Sequence, residues 1–424
     1  MGRYKCRVLA AALLLAVLCA AAVGLWPDTA EDSPEGQQRT VLRVVLWDYD
    51  TVGYDRRLIE AFEQANPDID VAVTSYSPTY YDYSLEALLE SGEQVDVIYA
   101  NQLPQYAWLA QNGYLLPLDT WIERDGLDLS CYAGVDVLRA DGDGGIMGLP
   151  YRQDKFLLYY NKDLFDAAGL PYPSSSPTWD EVCTLAQQLN TQIPDIWGIF
   201  LSAMPDHLIP QSLDSGADAV HAEPAALLQG LERYRQLAAD GAAPPFASLD
   251  NADPAQRLFE TGRYGMFLNG SWYLNFLAAD TLDGTCGFRW GVTARPGSAA
   301  GAAQNPMMLT PVCIHRDTAS PEAAWRFVRF VCGAEGAGIL ADELVLPAYH
   351  DAQTDAVLAA RARALGIDEV LVLEGFDAPA PLPDARERAL RSTLGGLYGR
   401  ALLGLDSVEG FPMAVQQARA QVGS

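Results

Sequence analysis

A two-lobed α/β architecture, each lobe an open sheet flanked by helices, follows from three features of the sequence. The chain has 424 residues and is 50% hydrophobic, more than one core of roughly 250–300 residues organises. Its opening reads strand, helix, parallel strand. Val41, Leu42, Val44, Val45, Leu46 and Trp47 make a strand-forming run, Leu58, Ile59, Ala61 and Phe62 recur at helical spacing over residues 54–65, and residues 71–73 make the next strand. That is the unit of an open parallel sheet. The third feature is residues 144–164, where a Gly-rich turn feeds a short apolar run, Pro150 stops it, a polar cluster follows, and strand formers resume over 156–160. This segment reads as a crossing between two sheets.

The first residues speak for export. Arg3, Lys5 and Arg7 precede an apolar run over 8–25 that ends at Trp26 and Pro27. A removed signal peptide competes with an uncleaved anchor, because the run is close to the roughly 20 residues that span a bilayer. Lipid on Cys19 is a third outcome, although Leu18 stands where a lipoprotein signal wants Gly, Ala or Ser, and Ala20 and Ala22 offer an ordinary cleavage site. Residues 1–26 are therefore a leader and 27–40, polar and without apolar period, a linker.

Lys+Arg 28 against Asp+Glu 55 gives a net charge of -27 with scattered basic residues, which excludes nucleic acid as a partner. The carboxylates are interleaved with apolar residues, so the acidity is not that of a disordered tail. After the leader, Cys131, Cys183, Cys286, Cys313 and Cys332 form an odd set without a C-x-x-C pair, and are expected as buried free thiols with at most one bridge.

The remaining elements follow in order. A helix covers 83–89, Val95 to Ala100 make a buried strand ending at Asn101, and 108–112 is helical up to Gly113. Beyond the crossing come a helix over 178–190, a strand over 197–200 and a long amphipathic helix over 225–239. Strands at 291–296 and 309–314 bracket a Gly/Ala loop, Ser320-Pro321 opens a helix, and residues 351–421 read as largely helical. Trp108, Trp121, Trp179, Trp197 and Trp325 fall within these patterns and are expected in the core.

Gly148-Leu149-Pro150, then Leu-Tyr-Tyr-Asn-Lys-Asp-Leu-Phe ending at Phe165, then Ala168-Gly169-Leu170 and Thr178-Trp179-Asp180-Glu181, occur in this order. They resemble the extracellular solute-binding proteins of ATP-binding-cassette importers, the carbohydrate-type family 1 group that includes maltose-binding protein. Gly92 with Asp96-Val97-Ile98, Leu115-Leu116-Pro117-Leu118-Asp119, and Leu346-Pro347-Ala348 are similar to further landmarks of the group. So is Phe259 through Gly262-Arg263, leading into a Met266-bearing strand and Gly270-Ser271-Trp272. The resemblance implies the periplasmic-binding-protein-like class II fold, with lobe 1 over 41–150 and 305–347, lobe 2 over 151–304 and 348–424, and interlobe hinge crossings. It implies extracellular capture of a small solute, most readily a mono- or oligosaccharide, and delivery to permease subunits of an ABC transporter. On this reading the protein is a monomer without cofactor or metal, it does no chemistry, and it meets the membrane only through its leader or a lipid.

No phosphate-binding G-x-x-x-x-G-K-[ST], nucleophile-elbow G-x-S-x-G or zinc-binding H-E-x-x-H occurs. His207, His221, His315 and His350 are far apart and read as surface residues. Asp141-Gly142-Asp143-Gly144-Gly145 lacks the closing Glu of a calcium loop and reads as a hairpin turn. A secreted glycoside hydrolase, needing paired carboxylates about 5–10 Å apart, and a surface sensor or adhesin remain the alternatives.

In open α/β sheets ligands bind beyond the carboxyl ends of the strands. Trp47, Asp48 and Tyr49 follow the first strand, Asn101 and Gln102 the third, and Tyr151, Arg152 and Asp154 follow Pro150. Asn269 and Trp272 face them from the other lobe, and Asn305 comes from the return segment. Aromatic faces cover the C–H faces of a pyranose while carboxylates and amides take up its hydroxyls. Arg152 keeps carboxylate-bearing sugars in play. Each also has a structural use: the tryptophans as core, Asp48 and Asn101 as helix caps, Asp154 as a hinge acceptor or the ion-pair partner of Arg152.

Overall fold

In a computed structural model of the chain, the residues described are 39–139, 145–202, 208–209, 220–249, 255–298 and 304–422. The leader, nearly all of the linker, His207 and most of the Asp141 to Gly145 turn lie outside them. Among the described residues no helix is long and apolar enough to cross a membrane.

The opening unit is built by β1 (Thr40–Trp47), α1 (Gly53–Ala65) and β2 (Ile69–Tyr76), and β1 pairs parallel with β2 along its whole length. A single turn of 3-10 helix at Pro78–Tyr80 leads into α2 (Tyr81–Ser91), which starts earlier than its apolar spacing predicts. β3 (Val97–Tyr99) is followed by α3 (Leu103–Gln111), with Pro104 in its first turn, where a missing N–H costs nothing. The first sheet runs β2-β1-β3 and is completed by β9 (Met308–Ile314), antiparallel to β3, and by β4 (Leu149–Asp154), antiparallel to β9 and so in the direction of the first three.

β4 runs into β5 (Phe156–Asn161) with only Lys155 between them, and β5 lies in the other sheet. The crossing is thus one residue wide. That second sheet has the order β6-β7-β5-β8, with β6 (Trp197–Phe200), β7 (Tyr264–Gly270) and β8 (Trp290–Ala294). Asn161 caps the helix after β5 by accepting from the N–H groups of Asp163 and Leu164, and Gly169 at φ 65 closes it in the left-handed conformation that glycine adopts without strain. Thr178 likewise caps the helix Trp179–Gln192 through the Glu181 N–H.

The apolar faces sort by sheet. Phe62 of α1 meets Phe327 and Phe330 of the helix Pro321–Cys332 on one face of the first sheet, and Tyr81, Leu85, Tyr106 and Leu109 of α2 and α3 cover the other. The second sheet is covered on one side by the helices Pro224–Ala239, Ala385–Leu402 and Phe411–Val422, and on the other by Tyr273–Asp283 and Ala352–Ala364.

Several expectations need correction. Residues 351–421 are largely helical as expected, but the helices are interrupted where residues 374–383, with Pro379, Pro381 and Pro383, form an extended strap absent from the expectation. Pro379 packs near Gly134, Leu382 joins the core under α2 and α3, and the Pro383 carbonyl accepts from Gln111 Nε2 at 3.2 Å. Proline cannot donate to a ladder, so the segment runs over the surface instead of joining a sheet. Of the tryptophans, Trp179 and Trp325 are buried while Trp108, Trp121 and Trp197 are only partly so; a large ring rarely buries every edge. The five cysteines are free, but Cys131 and Cys183 are only partly buried. His221 is exposed, whereas His315 and His350 are half-buried; His350 lies between Gln153 at 2.5 Å and Asp355 at 2.8 Å.

Candidate functional site

At the carboxyl end of β1 the chain turns sharply. Asp48 has φ 57, a left-handed conformation that Asp tolerates better than most residues. Its carbonyl accepts from the N–H groups of Thr51 and Val52 at 2.9 and 3.0 Å. The turn presents Trp47, Asp48 and Tyr49 beyond the sheet, and all three are half-buried. Asp48 does not cap α1, whose N-cap is Val52. Burial pushes the Asp48 carboxyl up, against the hydrogen bond of Thr51 and the charge of Arg152.

Arg152 is the centre of the arrangement. Its Nη1 donates to the Tyr54 hydroxyl at 2.8 Å, its Nε lies 3.4 Å from both Thr310 Oγ1 and Asp154 Oδ2, and its guanidinium sits 5.4 Å from the centre of the Trp47 ring. This is cation–π distance. A β-bulge makes the placement: Pro150 faces Pro311, and the register then shifts so that Arg152 faces Thr310. Two prolines opposite each other cannot exchange ladder bonds, and a bulge there re-aims the side chains that follow. Tyr151, the extra residue, is turned into the core, where its hydroxyl donates to Asp55 Oδ1 at 2.7 Å and its ring meets Tyr99 edge-on. Tyr151 is therefore held as a supporting group behind Arg152.

Asp154 joins the two sheets. It accepts from the Ser271 hydroxyl at 2.7 Å and from the Trp272 backbone, and burial raises its pKa against the pull of Arg152 and Ser271. The Lys155 N–H donates to Ser271 Oγ at 3.2 Å, and the Ser271 N–H to the Lys155 carbonyl at 2.8 Å. Gly270-Ser271-Trp272 is thereby clasped to the crossing residues. Trp272 is partly exposed, meets Phe156 edge-on at 6.1 Å, and lies over Gly270, where an added Cβ would stand 2.0 Å from the ring. Gly270→Ala is expected to displace that ring, lowering solute affinity about tenfold and costing about 1–3 kcal/mol of stability through overpacking; unchanged tryptophan fluorescence and affinity would count against this placement.

Asn305 clasps the crossing from the return segment: its Oδ1 accepts from the Phe156 N–H at 3.0 Å and its Nδ2 donates to the Phe156 carbonyl at 2.7 Å, as a neighbouring strand would. Asn269 is buried, with its Oδ1 on the Gly270 N–H at 2.9 Å. Asn101 and Gln102 belong to a separate cluster, in which Gln105 accepts from the Asn101 N–H and donates to Asp82, both at 2.7 Å. Tyr49 sits under Arg56, 5.8 Å from its guanidinium, and its N–H donates to Ser75. So the structure gathers Trp47, Asp48, Arg152, Asp154 and Trp272 around the crossing, and keeps Asn101, Gln102 and Tyr49 on adjoining loops.

Three residues went unnoticed in the sequence. Asp55 sits in the first turn of α1 and is buried, and its carboxyl is pushed up to about 6 by burial, against Tyr151 and Arg152. Lys155 is also buried; its ammonium donates to the Glu374 carbonyl and lies 4.3 Å from the centre of the Phe376 ring, and burial brings its pKa down to about 8. Phe376 is carried by the strap. The cue for Lys155 was its place between polar cluster and strand; Phe376, outside any periodic pattern, offered none.

The raised Asp55 pKa has a defined sign. A carboxyl that holds its proton more tightly folded than unfolded stabilises the fold below its ordinary pKa and loses that contribution as pH rises toward about 6. Asp55→Asn keeps an acceptor for Tyr151 and is expected to stabilise by about 1–2 kcal/mol at pH 7, less than full removal of the penalty because the amide is itself buried. The gain should vanish near pH 4 in urea unfolding; a gain independent of pH would refute the assignment.

The family model of bacterial extracellular solute-binding proteins matches residues 50–338. The chain belongs to that family. A binding protein of Brucella abortus is 24% identical over 321 residues, 71% of this chain and 73% of its own. Among solved structures, an ABC substrate-binding protein of Listeria monocytogenes in complex with cycloalternan superposes with a TM-score of 0.77 at 20% identity, covering 91% of this chain and 98% of the other. Maltose-bound MalE3 of T. maritima gives 0.73 at 18% identity, over 91% and 99%. The likeness establishes the two-lobed fold of these solute-binding proteins, and the expected family and fold class hold.

Proposed function

We propose that the protein captures a neutral carbohydrate or polyol outside the cell and hands it intact to the permease of an ABC importer. The observation that carries this is the cluster at the crossing: the aromatic faces of Trp47 and Trp272 and the carboxylates of Asp48 and Asp154, brought together across two sheets by residues 150–155 and 271–272. Arg152 and Asp154 already engage each other, with Tyr54 and Ser271, so the half-buried Asp48 is the carboxylate left to accept from ligand hydroxyls, which favours a neutral solute over an acidic one. The ligands named for the Listeria and T. maritima proteins, cycloalternan and maltose, support the same class.

In this reading lobe 1 spans 41–154 and 305–347 and lobe 2 spans 156–304 and 348–424, the expected boundary at 150 moving to the crossing and hinge at Lys155 because β4 pairs with β9 in the first sheet through Asp154. Closure buries the solute, and the permease reads the closed form, which the solute must therefore bind better than the open one. The protein acts as a monomer without catalysis, held to the outer membrane face by its leader or by lipid on Cys19.

A thermal-shift screen over sugars, polyols, peptides and anions tests this, since a ligand at 100 times its dissociation constant stabilises by about 2.7 kcal/mol. Stabilisation by a sugar or polyol, with compaction in solution scattering and full recovery of the ligand, is expected. Response only to peptides or anions, or appearance of a cleaved sugar, would defeat the reading.

A further inference from the structure

We propose that residues 374–383 brace the hinge: fastened at one end to both crossings and at the other to the helices of the first sheet, they narrow the range of lobe separations open to the solute-free protein and so raise its affinity for solute. The proposal rests on the hinge closure of the reading above.

The near end of the strap is built on the crossings. Val372, just before it, lies in the core of the second sheet, and Phe376 packs against the same core. Between them Glu374 offers its carbonyl to the Lys155 ammonium, which sits over the Phe376 ring. Asp377 then pairs with the return segment through a parallel bridge to Pro306. The Asp377 N–H donates to the Asn305 carbonyl and the Met307 N–H to the Asp377 carbonyl, both at 3.1 Å, while the Asp377 carboxylate accepts from the Asn305 N–H. Asn305 is itself bound through its side chain to the main chain of Phe156. The residues at 155–156, 305–307 and 374–377 thus form one bonded unit, in which bending one crossing strains the other.

The far end belongs to the first lobe. Pro379 lies over Gly134, 3.2 Å from where a Cβ would stand, Leu382 packs among the side chains of α2 and α3, and the buried Pro383 accepts at its carbonyl from Gln111 of α3. Asp384 then caps the helix Ala385–Leu402, whose Leu390 and Leu394 are in the core of the second sheet. The strap therefore leaves the second lobe, docks on the first and returns. Its middle cannot absorb motion by folding up. From Ala378 to Pro383 every residue is a proline or precedes one, which fixes φ at the prolines and holds the others extended. At about 3 Å per residue, such a run is a semi-rigid spacer of roughly 20 Å. A spacer of fixed length tied to both lobes restricts how they swing, and freedom that the lobes lack before binding is not lost on closure.

The test measures lobe separation without solute, as the distance distribution between spin labels at Glu60 of α1 and Thr191 of the helix Trp179–Gln192, both exposed. Non-natural residues carry the labels, so that the native thiols stay unlabelled. Pro379→Gly/Pro381→Gly and Asp377→Ala are each expected to broaden the distribution, the first by freeing the spacer and the second by releasing its near end. Asp377→Asn keeps an acceptor for the Asn305 N–H and should stay as narrow as wild type. Calorimetry with maltose and D-mannitol as probes is expected to show about tenfold weaker binding in the two broadened variants. Distributions as narrow as wild type in the folded variants overturn the brace and leave solute capture standing. Broader distributions with undiminished affinity overturn it too, because the range of separations would then not bear on binding. Failure of both probes to bind wild type counts against sugar or polyol capture, and the distances alone then decide the brace.

Discussion

Arg152→Ala is expected to destabilise the protein by about 3–5 kcal/mol at neutral pH, the range for removing one partner of a buried charge pair. Arg152 is only 8% exposed and lies 3.4 Å from Asp154, with Asp48 and Asp55 also feeling its charge. Without it the buried Asp55 and Asp154 keep their hydrogen bonds but lose their compensating charge, and their folded-state pKa values rise further. Carboxyls raised in this way stabilise the fold at low pH and withdraw that contribution as pH rises, so the deficit should shrink as pH falls below about 6. Urea unfolding of wild type and variant at pH 7 and pH 4.5 measures it. The double variant Arg152→Ala/Asp154→Ala should recover part of the loss, since the cost is an orphaned charge as much as a lost contact. A deficit of equal size at both pH values would mean that Arg152 acts by packing alone.

Trp272→Ala is expected to weaken solute binding by about 1–3 kcal/mol while leaving the fold intact, the range for losing one partly buried aromatic face against a ligand. The ring is held rather than floating: its backbone is tied to Asp154, its edge meets Phe156, and Gly270 leaves room for it to lie flat. Because only part of the ring is buried in the protein, the loss should fall on affinity and not on melting temperature. Calorimetry with the solute found by thermal shift decides it, and equal affinities for variant and wild type would remove Trp272 from the site. Trp272→Phe, which keeps a face of smaller area, should lie between the two.

How far the site could be read in advance depended on whether a residue's role is local. The strand endings at Trp47 and Asn101, the crossing at 150–155 and the Gly-Ser-Trp run are local patterns, and each marks a carboxyl strand end or a sheet-to-sheet step. Tyr151 misled because, like Arg152, it is marked only by following Pro150, and the bulge at the paired prolines separates the two by turning Tyr151 into the core. Asn305 misled for another reason: an exposed-looking amide on a loop turns out to imitate a strand edge for Phe156.

The pairing of sheets came from distance along the chain and could not be counted from spacing. β9 enters the first sheet between β3 and β4 from more than a hundred residues downstream, and the strap sets Phe376 against the second-sheet core and then returns Leu382 and Pro383 to the helices of the first sheet. Only the packed structure decides such contacts, because they are selected by shape and by satisfaction of buried polar groups, neither of which has a period.

By itself the sequence determined a two-lobed α/β fold, because hydrophobic periodicity, helix caps and turn residues act over a few neighbours and are written in order, and its motifs resembled the solute-binding family to which the chain belongs. The tertiary structure alone decided which carboxylate faces Arg152, why Tyr151 turns inward, and that Lys155 is buried against Phe376. Those outcomes depend on burial and charge summed over residues far apart in the chain, and a buried charge takes its partner from whatever the fold brings within reach.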